Sequence, residues 1–299
     1  MKTIQRLLSA IYHRINILLL EVYFLTKEFN KNKIYLQYSV FGKNLTLDNR
    51  NFGDDINRVL VQSLFNKIVI PYKFSIIGRL FKKKKYMCVG SVITMFDLTN
   101  TIIWGTGVLG SSFEIKGRPK KVCAVRGPLS RQYLLDRGIS CPEVYGDPAL
   151  FLPRLYFPTT VKKYRIGIIA HYLDHNDIKL KKFLHKYQDK VLFIDVVNYG
   201  TWKQFIDKIL SCELILSSSL HGLIVSDAYG IPNHWCQIHF KMDDDGFKFR
   251  DYFFSVNKQP YSPFVINSNT TIEEVEELYS NWKPIDIDLD KLIESCPFQ

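Results

Sequence analysis

Paired cysteines are missing from this chain. Cys88, Cys123, Cys141, Cys212, Cys236 and Cys296 are scattered, mostly within apolar runs, and no two form a Cys-x-x-Cys unit. A disulfide framework is therefore not expected, and reduced core thiols of a cytosolic protein fit the pattern. Acidic residues are also scarce, with 29 Asp and Glu against 40 Lys and Arg and a formal charge of +11. The basic excess favours anionic partners: phosphorylated metabolites, nucleic acid or a lipid surface. Zinc-finger and RNP-type spacings are absent and the basic residues are spread widely, so no nucleic-acid partner is expected. His171 and His175 stand four apart, but without the His-Glu-x-x-His context of a helical zinc site. No metal and no bound cofactor are expected.

A membrane span is lacking at the amino terminus. The stretch Ile4 to Leu25 is interrupted by Arg6, His13, Arg14 and Glu21, and its longest uncharged run, Ile15 to Leu20, is too short to cross a bilayer. No small-residue cleavage site follows it, which argues against a secretory signal. Lys2, Arg6 and Arg14 with Leu7, Leu8, Ile11, Ile15, Leu18 and Leu19 instead suggest a basic amphipathic helix. Such a helix either lies on an anionic membrane face or packs on the protein's own core. Lys82 to Lys85 read as a solvated or lipid-facing basic loop.

What the chain does have is an alternation of short apolar runs and amphipathic helices. At 299 residues and 46% hydrophobic it can bury a sizeable core. Strand signals at Ile34–Tyr38, Tyr86–Val92, Thr101–Trp104, Val122–Val125 and Val144–Gly146 are separated by helical patterns, notably from Ile56 to Leu64 and Leu129 to Arg137. Pro153, Pro158 and the polar residues 159–163 mark a linker, after which the alternation restarts at Arg165–Ala170. Further strands are expected at Val191–Val196, Leu214–Leu216 and His234–Ile238, with helices at Ile178–Tyr187, Trp202–Leu210, Phe247–Val256 and Thr271–Trp282. The expected class is α/β: an amino-terminal helix (1–32), one Rossmann-like domain (33–158) and a second with closing helices (159–299).

The polar motifs fall at strand ends. Gly105-Thr106-Gly107 lacks the third glycine of a dinucleotide fingerprint but lets a ligand approach the backbone. Arg126-Gly127-Pro128, Gly146-Asp147-Pro148 and His171 follow other strands. Ser217-Ser218-Ser219-Leu220-His221-Gly222 leads from a strand into a helix closed by Gly230 and Pro232, placing His221 in its first turn. Free amides and the dipole there suit a phosphate or carboxylate, with the serines as helix caps or added anion contacts. The alternative is a serine-capped structural helix whose histidine faces solvent. Asp54 and Asp55 either cap the helix that follows them or, for Asp54, face a ligand. Two domains with strand ends facing each other would hold the ligand in the cleft between them.

Taken together, these pieces resemble the polysaccharide pyruvyl transferases. The matching segments are Asn51-Phe52-Gly53-Asp54, Ile103-Trp104-Gly105-Thr106-Gly107, Ala124-Val125-Arg126-Gly127-Pro128, Gly146-Asp147-Pro148-Ala149-Leu150, Gly167-Ile168-Ile169-Ala170-His171-Tyr172, Ser217 to Gly222, and Phe247-Lys248-Phe249-Arg250-Asp251-Tyr252. The resemblance implies a fold similar to B-type glycosyltransferases, phosphoenolpyruvate as donor and a sugar hydroxyl pair as acceptor. It implies Arg126 and His221 as the donor-site pair; a second arginine found in some members is replaced here by Ser219. Lys248, the serine hydroxyls or backbone amides would then supply the missing anion contact. Within this reading Arg126, Asp147 and His221 are catalytic candidates. Arg126, Ser218, Ser219, Leu220, His221, Gly222 and Lys248 line the donor, and Asp54, Gly105, Gly107 and His171 the acceptor. Arg126 as a structural ion-pair residue and Asp147 as a turn former are the competing assignments. The partners expected are phosphoenolpyruvate and a glycan or lipid-linked oligosaccharide, at the cytoplasmic face of an anionic membrane. A nucleotide-sugar glycosyltransferase, or a noncatalytic component of a glycan assembly machine, is the alternative.

Overall fold

The computed structural model describes residues 12, 14–19, 21–23, 26, 32–39, 51–238, 246–280 and 282–298. Two five-stranded sheets, all parallel, carry the molecule. The first has β1 (Lys33–Leu36), β2 (Ile68–Pro71), β3 (Lys85–Met87), β4 (Thr101–Trp104) and β5 (Lys121–Ala124), in the order β2-β1-β3-β4-β5. The second has β6 (Tyr164–Ile169), β7 (Val191–Phe193), β8 (Cys212–Ser217), β9 (Asn233–Gln237) and β10 (Phe264–Val265), in the order β10-β9-β8-β6-β7. Central strands such as β4 and β8 are apolar runs because helices cover both of their faces. The expected α/β class is thus present. Among the described residues no helix is long and apolar enough to cross a membrane. All six cysteines are buried free thiols.

Several helices tie the two sheets together. α1 (Phe52–Phe65) follows β1, yet its Phe52 stacks on Phe205 of α5 (Trp202–Leu210) with ring centroids 3.9 Å apart. The Phe52 amide donates to Val196 O at 2.9 Å. α7 (Phe247–Ser255) comes after β9 but packs on α3 (Pro128–Leu135), beside the first sheet. That approach requires Gly127, because a Cβ there would stand 1.9 Å from Asp251 O. α9 (Leu289–Glu294) likewise reaches back, its Leu292 carbonyl accepting from Trp104 Nε1 at 3.0 Å.

Other sequence expectations need correction. Pro153 lies in a buried 3-10 helix, Pro148–Arg154, rather than in a linker, its apolar side chains packing into the core. Asn51, not Asp54 or Asp55, caps α1 through a bond from Gly53 N. Ser219 is the N-cap residue of α6 (Leu220–Ala228) but makes no side-chain cap bond. The helix predicted over Thr271–Trp282 is only α8 (Ile272–Glu277), started by a Thr271–Glu274 capping box. β2, β10, α9 and the five-residue α2 (Ile76–Leu80) escaped the periodicity, being too short to repeat a pattern. α4 (Ile178–Lys186) agrees with its expectation. At the amino terminus Lys2, Arg6, Leu7, Leu8 and Ile11 lie outside the described residues, while residues 14–19 and 21–23 are helical. Lys82, Lys83 and Lys84 are exposed as expected, but Lys85 is buried in β3 with its ammonium 4.8 Å from the Tyr72 ring centroid.

Candidate active site

His221 occupies the first turn of α6, directly after β8. It faces a cavity of about 280 Å³ whose wall is assembled from both halves of the chain. Gly53 and Asp54 come from the start of α1, Gly90 and Ser91 from the loop after β3, and His171 and Tyr172 from the loop after β6. Ser219, Leu220 and His221 come from α6, and Lys248 from the first turn of α7. Two larger hollows, of about 720 Å³ near the amino end of β5 and about 430 Å³ beside Asp55 and Arg58, have no histidine among their described lining residues. The smaller cavity is therefore the candidate.

Burial sets the protonation states in this cavity. The His221 imidazole is mostly enclosed, and desolvation pushes its pKa down to about 3, with the Lys248 and Arg126 charges adding to the effect. Its Nε2 lies 3.8 Å from Asp147 Oδ2, and neither atom has a hydrogen-bond partner. That gap is too long for a bond, though such contacts tighten when a substrate arrives. Asp147 is fully buried, and desolvation raises its carboxyl to about 7 against the Ala149 and Gly90 amides and the Arg126 charge. Its Oδ1 accepts from Ala149 N, so the turn-forming role is real. The other oxygen stands behind His221 and does not line the cavity.

The cation that lines the cavity among the described residues is Lys248. Desolvation, and next the Arg126 charge, lower its pKa to about 8, while Asp54 works in the opposite sense. Desolvation raises Asp54 to about 7, helped by Asp55 and opposed by Lys248. His171 is lowered to about 4, first by burial and then by Lys248 and His175. Its Nδ1 faces the Leu173 amide at 3.4 Å, so the ring is held by its own turn. A neutral imidazole, an ammonium and the amino-terminal end of α6 at Ser219 and Leu220 thus meet at one space, a setting suited to an anion.

Arg126 does not join them. The guanidinium is wholly buried: Nε donates to Asp251 Oδ2 at 2.9 Å, one terminal nitrogen to Val108 O at 2.8 Å and the other to Ser91 Oγ. Asp251 also accepts from the Ser130 amide and hydroxyl at 2.8 and 2.7 Å. The donor-gripping arginine implied by the resemblance is instead the structural ion-pair residue. It stands one hydrogen bond behind the wall, because Ser91 lines the cavity.

Four other expected contacts also move out of the wall. Ser218 spends its hydroxyl on the His171 amide and Asp174. Gly222 packs against Ser217 and Ile169, Gly105 against Pro148, and Gly107 against the Arg126 guanidinium, where a Cβ would sit 2.4 Å from Cζ. These three are glycines for packing. Gly53 was missed as a functional position although it stands in the Asn51-Phe52-Gly53-Asp54 segment. A Cβ there would lie 2.2 Å from His221 Nδ1. Gly53→Ala should therefore displace the imidazole and cut turnover by about 10²-fold, the cost of roughly 1 Å of misplacement. Melting should change little by comparison; equal kcat in the two proteins would show that the position of His221 is irrelevant. Ser91 was missed too, since Gly90-Ser91 is hidden inside the apolar stretch Tyr86–Val92.

Sequence comparison bears on what such a site does. The family profile for polysaccharide pyruvyl transferase matches residues 1–239. A protein of Acanthamoeba polyphaga mimivirus, uncharacterized protein L143, is 30% identical over 87% of this chain and 88% of its own length. The succinoglycan biosynthesis protein ExoV of Rhizobium meliloti is 26% identical over 68% of this chain, the match spanning 60% of the relative.

Proposed function

Because the chain belongs to the polysaccharide pyruvyl transferase family, we propose that it transfers pyruvate from phosphoenolpyruvate to two hydroxyls of a glycan sugar. The products would be a pyruvate ketal and phosphate. The observation that carries this reading is the meeting of neutral His221, Lys248 and the α6 amino terminus in one cavity. In this reading the two sheets belong to Rossmann-like units facing a cleft, with α7 and α9 packed back on the first. The acceptor is a surface polysaccharide or its lipid-linked precursor, met on the cytoplasmic side.

The donor carries a carboxylate and a phosphate. Lys248 and the α6 amides would hold these charges, and Arg126 would fix the Ser91 wall from behind. His221 takes the proton of the first hydroxyl as its oxygen bonds to C2 of the enol, and passes that proton to the methylene carbon as the double bond opens, so the imidazole ends neutral. The second hydroxyl oxygen then displaces phosphate at C2, and its proton leaves with the phosphate. Asp147, behind the imidazole, acts as a positioning residue. Asp54 and His171, which line the same cavity, would orient an acceptor hydroxyl. Mass spectrometry of candidate glycans incubated with phosphoenolpyruvate tests the reaction. The expected result is a ketal product with glycan-dependent phosphate release; sugar-nucleotide turnover without either would overturn it.

The pH dependence follows from Lys248. Its charge, and hence its hold on the donor, is present below about pH 8 and lost above. For the free enzyme kcat/KM for phosphoenolpyruvate should fall as pH rises through about 8. Lys248→Met should lower kcat/KM by about 10- to 100-fold at pH 7, the worth of one charge-assisted bond. It should also abolish that alkaline limb; an unchanged limb would assign it to another group.

A further inference from the structure

Among the described residues of the amino-terminal helix, Ile17 and Glu21, one turn apart, are buried, whereas Ile15, Leu18, Leu19 and Val22 are exposed, Leu19 by 61%. The reason for Glu21 is visible at α2. Its carboxylate accepts from the Ile76 and Ile77 amides at 2.8 and 3.1 Å and from the Ser75 hydroxyl. An anion on the positive end of α2 satisfies amides that would otherwise be unpaired. That bond holds the helix through a polar side chain, while Ile15, Leu18, Leu19 and Val22 stay exposed.

The end of α2 adds to the same region. Leu80 and Phe81 lie about one turn beyond the Glu21 bonds and are 72% and 64% exposed. Lys82, Lys83 and Lys84 follow, all exposed, and Arg14 is exposed on the helix itself. Large apolar side chains beside a run of ammonium groups match a bilayer interface with anionic headgroups. A protein partner of matching shape would not call for this charge. The amphipathic helix is thus neither simply membrane-bound nor simply packed on the core, since Ile17 and Glu21 do the second and leave the first open.

We infer that the exposed side chains of residues 14–19 and 21–23 together with Leu80 to Lys84 dock the protein on an anionic lipid surface. The docking is independent of the reaction proposed above and needs no substrate. Flotation of the full chain tests it, using vesicles of phosphatidylcholine alone and of phosphatidylcholine enriched in phosphatidylglycerol. Binding is expected only to the anionic vesicles, weakening as salt is added. A triple Lys82→Gln, Lys83→Gln, Lys84→Gln variant should bind roughly a hundredfold more weakly. Leu80→Asp with Phe81→Asp should lose binding with an unchanged melting temperature, because both side chains are solvent-facing. No flotation with anionic vesicles, or equal flotation with both compositions, would overturn the inference. So would a dimer in light scattering that Leu80→Asp with Phe81→Asp dissociates, since the face would then belong to a second copy.

Discussion

His221→Asn should lower turnover of phosphoenolpyruvate by about 10²- to 10⁴-fold, the usual contribution of a positioned acid–base group. The variant should melt close to the parent. In the native protein His221 Nε2 bonds to nothing and the ring is neutral, so removing it deletes neither an ion pair nor a hydrogen bond of that atom. This contrast separates a reacting group from a core histidine, whose loss would register in stability first. Phosphate release and thermal melting, measured on the same preparation, decide between them. A fully active variant would end the role assigned to His221 and with it the proposed chemistry.

Asp251→Asn should have the reverse signature. Removing one partner of a buried ion pair leaves the other charge uncompensated, at a cost of about 3–5 kcal/mol. For a protein of this size that corresponds to a fall in Tm on the order of 10 °C. Asp251 accepts from Arg126 and from both donors of Ser130, so it joins α7 to the first turn of α3. The combined Arg126→Met, Asp251→Leu replacement should recover much of the lost stability, because an apolar pair of similar volume needs no desolvation. If Asp251→Asn melted within a couple of degrees of the parent, the guanidinium would have another counter-charge, and its place behind the wall would need revision. The double variant also tests catalysis: a folded protein with weakened donor affinity fits an arginine that holds Ser91 in place.

The structure revises where the expected arginine and histidine stand. They were expected to meet across a gap and grip the donor between them. His221 does face the cavity, but Arg126 has its charge neutralised from a helix 125 residues further along the chain. Lys248, on the same helix as Asp251, takes the cationic position in the wall. The helix α7 therefore supplies both the partner that retires one cation and the residue that replaces it.

By itself the sequence determined the local grammar. Apolar runs too short for helices, separated by amphipathic stretches, required parallel strands covered on both faces. The run Leu214–Leu216, the serines and the pattern to Ala228 placed His221 in a helix's first turn, since every signal involved lies within about fifteen residues. What reached only into tertiary structure was the partner of each side chain. Arg126 reads the same whether it holds a ligand or Asp251, and Asp147 reads as a turn former because its second oxygen meets His221 only after folding. The face of the amino-terminal helix was hidden for the same reason: amphipathic spacing says that two faces differ, whereas the α2 amides decide that Glu21 turns inward. Periodicity is a property of neighbours along the chain, but charge state and exposure depend on which distant groups displace water, and only packing specifies those.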